Sequence, residues 1–199
     1  MVSLRGASCS RTCNSRWGAS SALACAFAIA LVNGPAAAAG SLMPYRGAPL
    51  PPLLLERLAP RASDPPVQMG LPEATEGVTV VHFFATWCEP CRDELPSLST
   101  LARQRSGLTV SVVLVAVAEV DTRVRPFFET IMPPGPILMD RDRAAARAWG
   151  VSALPSSFVF VGDAPRLFAE GEVVWGDPAV GASLLALTEP AARPDRLRK

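Results

Sequence analysis

The segment Trp87-Cys88-Glu89-Pro90-Cys91 follows closely on Val78-Thr79-Val80-Val81-His82-Phe83-Phe84, a run that is almost wholly apolar, β-branched or aromatic. Such a run is the pattern of a strand buried on both faces. Beyond Cys91, Leu95, Leu98 and Ala102 recur at helical spacing. Two cysteines at a strand-to-helix junction constrain the fold more than any other feature, because Cys88 then stands at a helix N-terminus. There, unpaired backbone N–H groups and the helix dipole favour a thiolate. Cys91, one turn on, can reach back to close a disulfide. Pro90 is tolerated between them, since the N–H it lacks would have had no partner in the first turn.

The rest of the chain alternates. Residues 108–118 form a second buried-strand run rich in Val. Residues 121–131 carry Val124, Phe127, Phe128 and Ile131 at helical intervals, and 136–139 read as a short strand before a helix over 141–149 with Asp140 as its cap. Two strands, 157–161 and 166–175, flank the turn signal Gly162-Asp163-Ala164-Pro165. A last helix starts with Asp177 as cap and Pro178 in its first turn, and buries Val180, Leu184 and Leu187. This order predicts an α/β fold with a central mixed sheet flanked by helices.

Residues 1–39 read as a leader. Arg5, Arg11 and Arg16 precede an uncharged stretch whose centre, residues 22–32, is apolar all round, and Asn33-Gly34-Pro35 then gives way to the small residues of 36–39. That is the pattern of a signal peptide, cut after Ala38 or Ala39, or of an uncleaved N-terminal membrane anchor. Residues 40–77 are Pro-rich around Leu53-Leu54-Leu55 and Leu58, and are expected to be a linker or a docking strap. The folded domain is expected over 78–188, with 189–199 as a tail. Formal charge is +1 for the whole chain; without 1–39, 16 basic residues face 18 acidic ones. Nucleic acid is therefore an unsuitable partner, since phosphate binding needs clustered Lys and Arg.

Three of the five cysteines, Cys9, Cys13 and Cys25, lie in the leader, which leaves Cys88 and Cys91 to the folded part. Structural zinc needs four ligands, and beyond the leader the chain offers two Cys and one His. Haem attachment needs a His after the second Cys, where Arg92 stands. A purely structural disulfide would stabilise little by closing so short a loop. Reversible thiol–disulfide exchange remains. The chain has no Gly-x-Gly-x-x-Gly signature, so no organic cofactor and no resident metal are expected, and electrons must arrive from a protein donor.

The stretch from Phe83 through Trp87-Cys88-Glu89-Pro90-Cys91-Arg92-Asp93-Glu94-Leu95-Pro96 resembles the active-site segment of the thioredoxin superfamily, most closely its TlpA-like and ResA-like exported reductases. Pro96 lies where thioredoxins kink the active-site helix, and Leu154-Pro155 before a strand matches their cis-proline site. The 63 residues between Cys91 and Pro155 leave room for the strand-helix insert of the TlpA-like branch. The resemblance covers about 78–187.

It implies a thioredoxin fold and an exported, periplasmic or extracytoplasmic thiol-disulfide oxidoreductase, soluble after cleavage or membrane-anchored. The implied clients are disulfides in other exported proteins, among them apocytochrome c or copper-site assembly proteins, and the implied donor is a membrane thiol carrier. Cys88 and Cys91 are then the redox pair. Pro155, in cis, sets the Leu154 backbone beside Cys88, and Glu94 tunes Cys91 protonation; the plainer reading of Glu94 is a first-turn acid favoured by the helix dipole. Glu89 adds negative charge near Cys88 and so disfavours the reduced thiolate. Trp87 reads as lid and packing residue, Trp175 as core, and Glu119, at the end of the second strand, as an exposed loop acid in preference to a group that faces the site. His82 departs from the pattern, standing where many thioredoxins carry a buried acid; it is either a neutral core histidine or a proton relay to Cys91. Two other functions use the same residues: an oxidase or isomerase of the same fold, or a copper metallochaperone using Cys88, Cys91 and His82.

Overall fold

The computed structural model describes residues 41–72, 77–104 and 108–188, so the leader and tail readings lie outside the described residues. In chain order the elements are β1 Met43–Pro44, β2 Leu53–Arg57, β3 Val67–Leu71, β4 Val78–Phe84, α1 Glu89–Arg103, β5 Val110–Val117, α2 Asp121–Thr130, β6 Ile137–Asp140, α3 Ala144–Ala148, β7 Ser156–Val161, β8 Ala164–Glu170 and α4 Pro178–Thr188. One sheet of eight strands takes them in the order β1-β8-β7-β4-β5-β6-β2-β3. β4 pairs in parallel with β5, and β5 with β6; the other pairings are antiparallel. The mixed sheet with flanking helices is the architecture the alternating pattern demands.

Burial follows the strand period of two. In β4, Val78, Val80 and Phe84 join a core with Leu95, Leu98 and Leu101 of α1, Val124 of α2 and Leu184 of α4. Val81 and Phe83 face the other way, into a second core with Ala145 and Ala146 of α3, Trp149 and Phe158. β4 is buried along its whole length, because it is central and covered on both sides.

The Pro-rich segment, expected to be a linker or a docking strap, supplies three strands within residues 43–71 that join the sheet, which therefore begins before Val78. The prolines explain how: Pro49, Pro51, Pro52, Pro60, Pro65 and Pro66 fall between the strands and not within them, leaving β2 and β3 free to pair from Leu53↔Leu71 to Arg57↔Val67. β2 also docks on β6 through Glu56↔Met139 and Arg57↔Leu138. Two contacts pin the connecting chain over the second core: Trp149 Nε1 donates to Pro51 O at 2.9 Å, and Tyr45 meets Phe158 edge-on at 6.0 Å.

Two further boundaries shift. The strand expected over 166–175 ends at Glu170, where Gly171 at φ 95° turns the chain out of the sheet. The helix expected over 141–149 contracts to Ala144–Ala148. The N-cap position is Arg143 and not Asp140 as expected; Asp140, at the end of β6, reaches the helix start from outside it, its carboxylate accepting from the N–H groups of Ala145 and Ala146 at 3.0 and 2.8 Å.

Candidate active site

Cys88 is the N-cap of α1, with extended backbone at φ −83° and ψ 107°, and its Sγ accepts from the Cys91 N–H at 3.3 Å. The two cysteines are joined in a disulfide with Cα atoms 5.3 Å apart. Pro90 occupies the first turn and Pro96 lies inside the helix. Cys88 retains 6% exposure and Cys91 none, so a visiting sulfur meets Cys88 first. That asymmetry, together with the helix N-terminus, gives the two sulfurs different work: the outer one is reached, the inner one is shielded.

Glu94 follows Cys91 by three residues on the same face of α1 and is buried. Its Oε1 accepts from the Val173 N–H at 2.5 Å and its Oε2 from Trp175 Nε1 at 2.9 Å. This is where the residues expected to extend β8 go: Gly171 swings Val173 and Trp175 over the helix to hold the acid. Burial outweighs those two hydrogen bonds and, with Glu172 adding like charge, raises the Glu94 pKa to about 7. His82 lies on the same face of the sheet, fully buried, with Nδ1 2.9 Å from Ser157 Oγ and 3.6 Å from Glu94 Oε2. Desolvation lowers its pKa to about 3, so His82 is neutral and its contact with Glu94 is polar, not ionic. Its Nε2 is buried without a hydrogen-bond partner among the described residues.

Glu119 corrects an expectation. It is not an exposed loop acid but is 1% exposed, and its Oε1 accepts from both the N–H and the Oγ1 of Thr86 at 2.7 and 2.5 Å. It therefore ties the end of β5 to the turn that presents Trp87 and Cys88. Its other oxygen meets Arg123 at 3.4 Å. The signal was in the sequence: an acid placed directly after eleven apolar or small residues is more often held than free. Ser157, the partner of His82, had no such signal.

Trp87 is 62% exposed and so is not packed as a core residue. It borders a cavity of about 240 Å³ that Leu154 also lines. The Leu154-Pro155 bond is cis, and Leu154 packs partly against the core that contains Cys88 and Cys91. A second cis bond, Leu71-Pro72, ends β3. The structure thus gathers Cys88, Cys91, Glu94 and His82 around the start of α1, with Trp87 and the Leu154-Pro155 turn at the rim.

A cysteine pair at the start of a helix, on a mixed sheet with a cis-proline turn at its rim, defines a thioredoxin-like protein. Residues 63–164 match the AhpC/TSA family, and the chain belongs to that family. It is 33% identical over 79 residues to the thiol-disulfide oxidoreductase ResA of Bacillus subtilis, a match covering 40% of this chain and 44% of ResA. It is 35% identical over 91 residues to the thiol:disulfide interchange protein CycY of Rhizobium leguminosarum bv. viciae, covering 46% and 48%. The matches thus span less than half the length of these curated relatives. Among solved structures, a putative thiol:disulfide interchange protein DsbE from Chlorobium tepidum superposes with a TM-score of 0.59 at 22% identity, covering 73% of this chain and 98% of that one. A secreted thiol-disulfide isomerase from Corynebacterium glutamicum gives 0.61 at 21% identity, with 74% and 92% covered. At those identities the structures speak for the fold.

Proposed function

We propose that this protein is an exported thiol-disulfide oxidoreductase that reduces disulfides in other exported proteins. The observation that carries the reading is the Cys88–Cys91 disulfide at the N-terminus of α1, one sulfur reachable and the other shielded. In the reduced protein, the Cys88 thiolate attacks a client disulfide; a Cys88–client bond forms as the client S–S bond breaks, and the departing client thiolate takes a proton. Cys91 then attacks Cys88 Sγ, releasing the second client thiol. Two electrons pass to the client, and the Cys88–Cys91 disulfide returns.

Glu94 serves the second step. A carboxyl poised near 7, on the helix face of Cys91, is suited to take the thiol proton as Cys91 becomes a nucleophile. His82 positions that carboxyl from beneath, and Pro155 presents the Leu154 backbone to an extended client peptide. Electrons come from a membrane thiol carrier, and the clients are apocytochrome c or copper-site assembly proteins, as the sequence resemblance implies. Export rests on the leader pattern of residues 1–39.

The test is Cys91→Ser, which leaves the mixed disulfide unresolved. Covalent adducts that reductant releases should accumulate on Cys88, and mass spectrometry identifies the attached clients. A cysteine pair that stays oxidised across all redox buffers would overturn the proposal.

A further inference from the structure

The cavity beside Trp87 bears on which clients this site takes. At about 240 Å³ it is smaller than the roughly 300–1,000 Å³ of ordinary small-molecule sites, and so fits a side chain of a peptide, not a cofactor. Its walls include Trp87, Val117, Ala118, Val151 and Leu154, and its sole charged wall residue among those described is Arg143.

Two observations single out this wall. Ala118 and Arg143 are the only non-glycine residues at positive φ among the described residues, at 55° and 64°, and both line this cavity. Side chains rarely take that conformation, and it persists where surrounding bonds impose it, often at functional sites. Here the imposing group is Asp140: its main-chain carbonyl accepts from the Ala118 N–H at 2.9 Å and from the Arg143 N–H at 3.2 Å. Its carboxylate meanwhile holds the start of α3.

The second observation is charge. Arg143 is exposed and has no ion-pair or hydrogen-bond partner for its guanidinium among the described residues, while the acids near the cavity are engaged elsewhere. Glu170 accepts from Ser152 Oγ at 2.5 Å, Asp142 from the Ala144 N–H at 3.0 Å, and Glu119 is held by Thr86 and Arg123.

Deepening the proposed function, on which it rests, we infer that Arg143 is a specificity-determining residue that selects client segments carrying an Asp or Glu close to the reacting cysteine. The client's main chain lies along Leu154, an acidic side chain enters the cavity past Trp87, its apolar stem against Val117 and Val151, and its carboxylate meets Arg143. The charges that would favour the opposite choice are Glu89, exposed between the cysteines, and the exposed acids Asp142 and Glu170, whose neutral hydrogen-bond donors leave their charge in place.

The experiment uses the full chain, reduced and freed of reductant, against symmetric disulfides of capped cysteine peptides. The peptides are identical except for Glu, Gln or Lys placed two residues to either side of the cysteine. Single-turnover rate constants at low salt should be about tenfold higher for the Glu peptide than for the Lys peptide, with Gln between, and the gap should shrink as salt rises. The ratio within each variant cancels any common change in rate: it should fall to near unity in Arg143→Asn, which keeps a residue tolerant of positive φ, and invert in Arg143→Glu. Equal rates, a Lys preference, or a Glu preference that survives both substitutions would overturn the inference. The neutral 2-hydroxyethyl disulfide separates the two levels. If wild type reduces it without discriminating among the peptides, only the selectivity falls; if wild type reduces nothing, the proposed function falls and this inference with it.

Discussion

The two faces of β4 divide the molecule's labour. On one, His82 sits among Ser157, Glu94 and the start of α1, a buried polar cluster that includes a ring nitrogen without a partner among the described residues. On the other, one residue along, Phe83 joins Trp149 and Phe158 in an aromatic cluster, with ring centroids 5.6 and 5.9 Å away. Phe160 and Phe168 extend it at 5.5 Å from Trp149 and 4.7 Å from Phe158. Buried polar groups cost stability unless every partner is in place, whereas packed rings contribute it mainly through contact area, with only the Trp149 N–H needing an acceptor. The aromatic face thus stabilises a sheet whose opposite face holds a carboxyl and an imidazole out of water.

Breaking the aromatic face should have the largest effect. Trp149→Ala is expected to cost about 3–5 kcal/mol, read by chemical denaturation, because it removes a nearly buried ring together with its bond to Pro51. Thiol exchange with a neutral disulfide, measured below the melting transition, should survive. A loss of exchange in step with stability would show that the faces are not separable.

On the polar face, Glu94→Leu leaves the Val173 N–H and Trp175 Nε1 unpaired, and should cost about 1–3 kcal/mol. The pH dependence sharpens the contrast. Glu94, raised from 4.5 to about 7, contributes most while protonated, so its share is whole below about pH 4.5 and is lost as pH rises through about 7. His82, lowered from 6.5 to about 3, contributes most while neutral; its share is whole above about pH 6.5 and is lost as pH falls through about 3. Urea titrations across pH should therefore show Glu94→Gln losing the decline toward neutrality and His82→Phe losing the decline toward acid. Matching slopes in wild type and both variants would remove these groups from the account.

The smallest change isolates the strap. Trp149→Phe keeps a ring but deletes the donor to Pro51, and about 1 kcal/mol should be lost, with protease cleavage rising first within residues 45–52. Unchanged stability and cleavage would mean that packing alone holds that segment.

Much of this was legible in the chain. The Val-rich runs and the helical spacing of Leu95 and Leu98 declared the central strands and α1, because a two-sided burial pattern has few other solutions. The expected span for β7 and the expected start of α4 lie within a residue of those observed. Cys88 and Cys91 were readable because their spacing is local. Less readable were β2 and β3, whose five-residue runs are short and surrounded by proline, and whose pairing depends on β6, more than 80 residues away.

The sequence by itself determined the alternation of elements, the cysteine pair at a helix start and the proline before β7, all of which depend on neighbours within a few residues. Tertiary structure alone decided that Val173 and Trp175 leave the sheet to hold Glu94, that Glu119 is buried on Thr86, and that Ala118 and Arg143 share one carbonyl. Apart from the local Arg143–Asp140 turn, each of those contacts joins residues more than 20 positions apart in the chain. Their formation is set by where the sheet brings strand ends together, which no local pattern encodes.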